Sequence, residues 1–407
     1  MKIYKKNLAS YTNFLTLKYE RSTGAPKLSS LPYFISADPS SICNLKCPFC
    51  PTGIENFERG TMAKGFFRKR ELMSPEVFGS VLDELGEYLF IINFYNWGEP
   101  LLNKSLPAMV RRAKGLDIFT QIHSNLSLRL SEGYIDELLS SGMDEICLSI
   151  DGITQEVYEK YRRGGELSLV LDNLERMVAI RDKLGLGTSI EWGFLVFSFN
   201  QHQMGDIKRR CRELGISFRP RNAHIDTEKQ PDWVPGMTGR LRTLLDKPRV
   251  PLDEMYYRMK KMLGERYSRD RSCIWHYGQS IINSDGSVSP CCALQSSKDD
   301  FGIVAPTSRG FNDVWNNEKF MSARMVSSPG GMTGHPGLDT VCGRCANQYL
   351  KNLYSSYEYF IIKRFMELYG SSEPLLAQAF KLLNSRDKFV RYFREIIMPE
   401  LKGHGPG

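Results

Sequence analysis

The chain has 407 residues, of which 42% are hydrophobic and 25% are charged, and its formal net charge is +8. These values are typical of a globular protein that can bury a sizeable core and hold two domains. No apolar run approaches the ~20 residues that cross a bilayer, so we predict no transmembrane segment. Because the positive charge is spread along the chain, it favours a role in solubility over an anionic partner such as a nucleotide-linked sugar, a phosphate or an anionic membrane surface. We predict no nucleic-acid partner.

Residues 1–32 are predicted to form a polar N-terminal extension. The extension is too short to be a leader-peptide-binding winged helix or a cobalamin domain. Its first six residues lack the apolar segment of a signal peptide. We therefore predict a cytoplasmic protein, whose thiols stay reduced and free to hold metal.

A cysteine motif follows a short predicted strand at residues 33–37. Cys43, Cys47 and Cys50 are spaced C-x-x-x-C-x-x-C, and no fourth Cys or His lies close by. Three clustered thiolates suit a four-iron, four-sulfur cluster in which one iron stays open. A structural zinc ion would require a fourth ligand, and a disulfide would leave one thiol over. A zinc knuckle and three unrelated buried cysteines are the alternatives.

Strand signals then alternate with segments of helical period. Ser74 before Pro75 predicts a helix start. Strands are predicted at residues 89–95, 119–123, 145–150, 189–197 and, around a proline, 217–221, with helices at 134–140, 169–183 and 204–214. The alternation predicts an α/β fold, a partial (β/α)6 TIM-like barrel spanning residues 33–250. In such barrels the chemistry lies at the carboxyl ends of the strands.

Short polar motifs lie at these predicted strand ends. Gly98-Glu99-Pro100 follows the second strand, and Ser124 with Asn125 follows the third. Ser149 lies near the end of the fourth strand, and Arg162 lies in the segment after it. Every polar motif thus falls where a single active site requires it.

The cysteine motif and this ordered set resemble the radical S-adenosylmethionine (SAM) superfamily. In that family the open iron chelates SAM, and reductive cleavage yields a 5'-deoxyadenosyl radical that abstracts a substrate hydrogen. The resemblance implies that a reductase such as flavodoxin or ferredoxin supplies the electron. It also implies four sets of SAM contacts: Gly98, Glu99 and Pro100 for the amine, Ser124 and Asn125 for the ribose, Ser149 and Arg162 for the carboxylate, and Phe49 and Val196 for the adenine. A guanidinium suits a carboxylate because its paired donors match the two oxygens.

A second cysteine set lies in residues 251–349, after a Pro- and Gly-rich stretch at 223–250 that we interpret as a linker with a short helix. Cys273 and Cys291 flank a predicted hairpin centred on Asp285-Gly286, and Cys342 and Cys345 form a C-x-x-C pair. Four thiolates around one site could hold zinc or an iron–sulfur cluster. The pattern resembles the SPASM and twitch extensions of radical SAM enzymes, which bind auxiliary four-iron clusters. Because no cysteine follows Cys345, it matches the shorter twitch-like form, so the implied cofactors are SAM and two 4Fe-4S clusters.

Three cysteines and the C-terminal segment remain. Cys147 and Cys211 are predicted to be core residues. Cys292 adjoins a predicted ligand and is interpreted as a buried residue, an alternative ligand, or a thiol that returns a hydrogen atom to a substrate radical. Residues 350–407 have apolar positions at helical spacing, which predicts a tail of two or three packed helices.

Several functions fit this organisation. The first is oxidation of a carbinol in a sugar or aminocyclitol-type substrate, with the auxiliary cluster as electron acceptor, as in the twitch-bearing aminocyclitol dehydrogenase that the layout resembles. The second is peptide modification by crosslinking or epimerisation, and the third is sugar epimerisation with Cys292 as hydrogen donor. An iron–sulfur electron carrier or a zinc scaffold would need the cysteines but not the SAM contacts. The candidate catalytic residues are Cys292, Arg221 and His276, and the other candidate substrate contacts are Trp192, Arg219, Asn222 and Trp275.

Overall fold

A nine-stranded sheet organises the computed structural model, which describes residues 3–53, 68–223, 230–235, 273–294, 296–306, 310–328, 340–343, 345, 356–383 and 385–403. The strands are β1 Phe34–Ala37, β2 Ile91–Asn93, β3 Phe119–Ser124, β4 Glu145–Ser149, β5 Ser189–Val196, β6 Ser217–Asn222, β7 Gln279–Ile282, β8 Ser287–Ser289 and β9 Gly302–Ile303. Their order in the sheet is β6-β5-β4-β3-β2-β1-β7-β8-β9. Most of the predicted linker and the start of the second cysteine region lie outside the described residues, as do the predicted boundaries at 250 and 349.

The α-helices follow the predicted alternation with the strands. They are α1 Leu8–Thr23, α2 Pro75–Leu85, α3 Leu106–Lys114, α4 Glu132–Ser140, α5 Gln155–Tyr161, α6 Leu167–Lys183, α7 Met204–Glu213, α8 Trp275–Gly278, α9 Phe311–Trp315, α10 Glu318–Val326, α11 Ser356–Tyr369, α12 Pro374–Leu382, α13 Arg386–Tyr392 and α14 Met398–Gly403. Short 3-10 turns occupy Pro100–Leu102, Gln201–Gln203, Pro231–Trp233 and Ser297–Asp299.

The parallel part of the sheet confirms the six predicted strands. β1 to β6 are all parallel, and each is paired with its neighbour in sequence. β6 lies at one edge, where Pro220 can be accommodated although it donates no ladder hydrogen bond. At the predicted helix start, the Ser74 side chain accepts a hydrogen bond from the Val77 amide and Pro75 is the first residue of α2.

One face of the parallel strands is packed against helices. α3 contacts β3, and α7 contacts β6. The fully buried Trp192 donates its indole N–H to the Ile150 carbonyl at 2.8 Å. Its neighbour Glu191 pairs with arginines of β6, and because adjacent strand residues point to opposite faces, Trp192 turns away from that polar side. Trp192 is therefore a core residue here, contrary to its prediction as a substrate contact.

The predicted hairpin of the second cysteine region is confirmed, and it extends the same sheet. β7 pairs in parallel with β1, and β8 pairs antiparallel with β7. The turn depends on Gly286, whose φ of +81° lies in the left-handed region and which has no room for a side chain beside the Val304 carbonyl. The hairpin that carries the auxiliary cysteines is thus joined to the barrel strands by backbone hydrogen bonds.

The prediction of a polar N-terminal extension is wrong, because α1 is part of the core. Tyr11 and Phe14 of α1 are fully buried. The charges that made the segment look polar are paired: Lys18 lies 2.9 Å from Glu358 in the tail, and Glu20 accepts hydrogen bonds from residues 29 and 30. Burying a charged side chain costs less free energy when the charge is paired than when it is unpaired.

In the C-terminal tail, residues 356–383 and 385–403 form three helical stretches that pack on α1. The third stretch runs through α13 and α14 with a π-helical turn at Phe393–Ile397 between them. Ring contacts join Tyr11 to Phe365 at 5.2 Å and Phe14 to Phe380 at 6.1 Å. The two ends of the chain therefore form one layer of the core.

Candidate active site

The three motif cysteines lie on the loop that follows β1. Cys47 is buried, Cys43 and Cys50 are half-buried, and none of the three forms a disulfide. The Cys50 amide donates to the Cys47 carbonyl at 3.2 Å, which closes a turn between them. No three His, Cys, Asp or Glu side chains within the described ranges are arranged as a ready-made metal site.

The surroundings of these thiols fit a three-thiolate cluster. Burial raises the pKa of Cys43 to about 12 and that of Cys47 to about 11, so isolated thiolates are disfavoured and a metal centre would offset the penalty. Two donors already approach the sulfurs: Asn125 Nδ2 lies 3.7 Å from Cys43 Sγ and Arg162 Nη1 lies 3.9 Å from Cys47 Sγ. Donors of this kind orient ligands and stabilise their charge.

The Gly98-Glu99-Pro100 segment is packed against the start of the cysteine loop. A Cβ on Gly98 would overlap the Ser40 carbonyl oxygen, so this close approach requires glycine. The Glu99 amide donates to the Ile42 carbonyl at 2.8 Å. The second strand end is therefore held directly beside the residue that precedes Cys43.

Glu99 connects two of the predicted SAM-contact motifs. Its carboxylate is 2% exposed and accepts hydrogen bonds from Ser124 Oγ and from the Asn125 amide, both at 2.7 Å, and from the Leu101 amide at 3.1 Å. Burial raises the pKa of Glu99 to about 7. In this structure the Glu99 and Ser124 side chains are thus engaged with each other, while Asn125 reaches toward Cys43.

Arg162 connects the fourth strand end to the cysteine loop. Its Nε lies 2.6 Å from Asp151 Oδ2, and the fully buried Asp151 also accepts from the Leu195 amide. The predicted carboxylate contact Ser149 ends β4 opposite Gly193 of β5. The structure therefore brings the predicted carboxylate-binding arginine within reach of Cys47.

Aromatic side chains pack against the other side of the cysteine loop. Phe49, predicted to contact the adenine, lies 5.4 Å from Trp233 between ring centroids, and Tyr161 lies 4.8 Å from Phe197. Val196, its predicted partner, is buried at the end of β5. The sequence prediction missed Trp233 because it lies in the stretch interpreted as a linker.

The face of the parallel strands opposite the helices is lined by polar side chains, and we call it the polar face. It comprises Asn93, Gln121, His123, Cys147, Glu191, Arg219 and Arg221, with Tyr95 just after β2. Alternating polar residues in a buried strand, such as Gln121 and His123, are the signal that could have identified it. The predicted candidates Arg219 and Arg221 lie on this face, and the side chain of Asn222 lies outside the described residues.

His123 lies near the middle of the polar face. Its ring stacks on Tyr95 with centroids 4.0 Å apart and planes 12° apart. Neither ring nitrogen has a hydrogen-bond partner among the residues that the structure describes. Burial, and then the positive charges of Arg221 and Arg219, lower the pKa of His123 to about 3, so the imidazole is neutral at pH 7.

Glu191 holds both arginines of the polar face. Its carboxylate lies 2.5 Å from Arg219 Nε and 3.0 Å from Arg221 Nη2, and Arg221 Nη2 also lies 3.5 Å from Cys147 Sγ. The Glu191 side chain is 3% exposed, whereas those of Arg219 and Arg221 are 55% and 33% exposed. The guanidinium groups therefore extend outward from a buried carboxylate and keep donors for a further partner.

The auxiliary cysteines lie around α8 and the hairpin. Cys273 is buried just before α8, Cys291 is half-buried after β8, and the Cys345 amide donates to the Cys342 carbonyl at 3.3 Å. His276 of α8 is 4% exposed, and its Nε2 lies 3.2 Å from Cys342 Sγ. Buried thiols on two chain segments with an imidazole beside them fit an iron–sulfur site.

The three predicted catalytic residues are not brought together. Arg221 is on β6, whereas His276 is on α8, directly before β7, and β1 to β5 lie between β6 and β7 in the sheet. Cys292 is exposed in the loop after β8. Trp275, a predicted substrate contact, packs edge-on against Phe34 at 6.3 Å. Of the three predicted catalytic residues, only Arg221 lies on the polar face.

Family models match both cysteine regions. The model described as the radical SAM superfamily matches residues 38–188. A model for the SPASM iron–sulfur cluster-binding domain matches residues 273–346. The chain belongs to the radical SAM superfamily. It is a SPASM-containing member, and its cofactors are SAM and iron–sulfur clusters.

Relatives and solved structures cover different parts of the chain. The probable GTP 3',8-cyclase of Methanococcus maripaludis is 28% identical over 194 residues, which are 45% of this chain and 60% of that protein, so the match spans less than two thirds of this relative. The PqqA peptide cyclase of Granulibacter bethesdensis is 22% identical over 301 residues, 70% of this chain and 74% of that protein. The crystal structure of Streptococcus suis SuiB bound to precursor peptide SuiA has a TM-score of 0.51 at 15% identity, covering 89% of this chain and 82% of that chain, which shows a shared fold. Within the described ranges, no helix is long and apolar enough to cross a bilayer.

Proposed function

We propose that the protein oxidises a carbinol carbon of a polyhydroxylated substrate, a sugar or aminocyclitol, to a ketone. When bound, the SAM cluster supplies the electron that cleaves SAM, and an auxiliary cluster accepts an electron from the substrate. The observation that supports this proposal is the polar face: five neighbouring strands present amide, imidazole, thiol, carboxylate and guanidinium groups on one side. A substrate with several hydroxyls needs such partners, because a buried hydroxyl without a hydrogen bond is costly.

His123 is the residue best placed to take the hydroxyl proton. The conversion removes a hydrogen atom from carbon, one electron and the O–H proton, so a base must receive that proton. An imidazole of low pKa is sufficient, because the protonated carbonyl formed as the electron leaves is a strong acid. The stack on Tyr95 fixes the plane of the imidazole. Arg221 and Arg219 would donate to the oxygens of the substrate.

The SAM contacts are proposed as the sequence predicts them. Asn125 and Arg162 already reach the cysteine loop, and Gly98 lies against it. Cys43, Cys47 and Cys50 would hold one cluster, and Cys273, Cys291, Cys342 and Cys345 the second. We expect about eight irons and eight sulfides per chain after anaerobic reconstitution. Four irons with one zinc would remove the auxiliary cluster from the proposal.

Deuterium transfer tests the reaction. The reconstituted protein would be incubated with SAM, dithionite and a panel of sugars and aminocyclitols, each deuterated at one carbinol carbon. We expect deuterium in 5'-deoxyadenosine and a ketone two mass units below the undeuterated substrate. Solvent deuterium incorporated into an otherwise unoxidised product, and lost in Cys292→Ala, would instead indicate epimerisation. No transfer from any member of the panel would contradict the carbinol proposal.

Peptide modification is the second candidate. It is favoured by the similarity to the PqqA peptide cyclase, because the match covers 74% of that protein. A short precursor peptide encoded beside this protein would be its substrate, and a crosslinked or epimerised peptide would appear in mass spectra. That outcome would identify a peptide as the substrate in place of the sugar or aminocyclitol, and the proposed cleavage of SAM would be unchanged.

A further inference from the structure

We propose that His276 donates a hydrogen bond from Nε2 to the thiolate of Cys342 and thereby raises the reduction potential of the auxiliary cluster. The inference rests on the proposed ligation of that cluster by Cys342 but not on the identity of the substrate. It assigns His276 a role as a positioning and tuning residue, in place of the substrate contact that the sequence predicted.

The contact geometry is suitable for an N–H···S bond. Nε2 lies 3.2 Å from Cys342 Sγ, and the two residues are 4% and 6% exposed. A ligated thiolate carries no proton and can only accept. The hydrogen must therefore be on Nε2 when Cys342 binds iron. In this buried setting the bond is little weakened by competing water.

The opposite ring nitrogen has a partner that fits this tautomer. Ser327 Oγ lies 3.1 Å from His276 Nδ1. With the hydrogen on Nε2, the neutral ring accepts at Nδ1, so the Ser327 hydroxyl has to donate to it. The hydroxyl also lies 2.9 Å from the Ala323 carbonyl and 3.4 Å from the Arg324 carbonyl, so a bond to His276 would use one of three available acceptors. Ser327 can therefore supply the donor that the proposed tautomer requires at Nδ1.

The backbone of His276 is held in place from α10. Arg324 Nε donates to the His276 carbonyl at 2.7 Å. The fully buried guanidinium of Arg324 also donates to the carbonyls of Trp315 at 2.7 Å and Pro26 at 3.0 Å. A side chain with this many fixed partners is a rigid support. The imidazole is therefore positioned beside Cys342 by contacts that do not depend on the cluster.

The electrostatic effect has a definite sign. Reduction adds negative charge to the cluster and its sulfurs, so an N–H dipole directed at a ligand sulfur stabilises the reduced state more than the oxidised state. The donor therefore raises the reduction potential. A higher potential makes the auxiliary cluster a better acceptor for an electron from the substrate.

The test compares midpoint potentials by redox titration monitored by electron paramagnetic resonance. A Cys43→Ala background removes the signal of the SAM cluster, and full-length His276→Gln, His276→Leu and Ser327→Ala variants are reconstituted in it. His276→Gln keeps an amide donor close to the position of Nε2, whereas His276→Leu keeps volume without a donor. His202→Leu, a histidine in the 3-10 turn after β5, is the matched control.

We expect a lower potential in His276→Leu, a smaller shift in the same direction in Ser327→Ala, and potentials close to the parent in His276→Gln and His202→Leu. All variants should keep about four irons. Equal potentials in the parent and His276→Leu would overturn the proposal, as would equal shifts in His276→Leu and His276→Gln. Loss of iron in both His276 variants would instead identify His276 as a ligand. The potentials are measured without substrate, so failure of the carbinol reaction would not affect this test. An unchanged potential would likewise not contradict the carbinol reaction.

Discussion

The two cysteine regions are built differently. The first is one loop of eight residues, held by side chains and amides from the neighbouring strand ends, such as Asn125 and Arg162. The second collects cysteines from residues 273 to 345, and its buried thiol Cys342 contacts an imidazole 66 positions away. When one loop supplies all the ligands, their spacing can be recognised in the sequence as a motif. When distant segments supply the ligands, only the folded structure shows which residues lie beside them.

The largest expected effect separates the two regions. Cys43→Ala should abolish 5'-deoxyadenosine formation, because a four-iron cluster with one iron open for SAM needs three thiolate ligands and the variant keeps two. Cys273→Ala should keep SAM cleavage and lose the oxidised product. Both are measured by chromatography of SAM products and by iron analysis. If the two variants lose 5'-deoxyadenosine equally, the regions do not have separate roles.

Removing the proposed base should have the next largest effect. His123→Ala is expected to lower ketone formation by ~10²–10⁴-fold, the range for a general base, while 5'-deoxyadenosine still forms. Because the pKa of His123 is lowered to about 3, the imidazole stays neutral above that value. Ketone formation should therefore show no loss from protonation of this group between pH 6 and 8. A fall in rate below pH 7 that disappears in His123→Ala would contradict the lowered pKa of His123, whereas undiminished ketone formation in His123→Ala would contradict its role as the base.

A glycine substitution tests whether the first cysteine region depends on the close approach of Gly98 to Ser40. Gly98→Ala should lower stability by about 1–3 kcal/mol, as overpacking typically does, because the added methyl meets the Ser40 carbonyl. Iron uptake at the first cluster should fall with it. Gly133→Ala is the matched control: nothing lies within 4 Å of its Cβ position on α4, so it should be neutral or slightly stabilising. Thermal unfolding and iron content measure both, and equal behaviour would refute the steric argument.

The smallest expected effect concerns the tail. Tyr357 of α11 stacks on Phe34 at 5.5 Å, and its hydroxyl accepts from Gln121 Nε2 at 2.9 Å, so the tail reaches the polar face. Tyr357→Phe removes one hydrogen bond and should cost about 1 kcal/mol of unfolding free energy. A change in substrate preference beyond that small loss would show that the tail takes part in the site. Tyr359→Phe, on an exposed position of the same helix, should change neither stability nor preference.

The sequence by itself determined the parts whose physics is local. The Ser74-Pro75 helix start, the Asp285-Gly286 hairpin and the six parallel strands follow from capping, turn geometry and side-chain periodicity. The cysteine spacing was sufficient to predict the superfamily, because a cluster with one open iron requires three thiolates close together.

The tertiary structure decided which side chains share the polar face and which charged residues are buried as pairs. Alternation shows that Gln121 and His123 share a side of β3, but only the assembled sheet shows that Tyr95, Cys147 and Arg221 share it too. The burial of α1 likewise depends on an ion pair between Lys18 and Glu358, 340 positions apart. Contacts between distant segments depend on how the whole chain packs, so no local pattern encodes them.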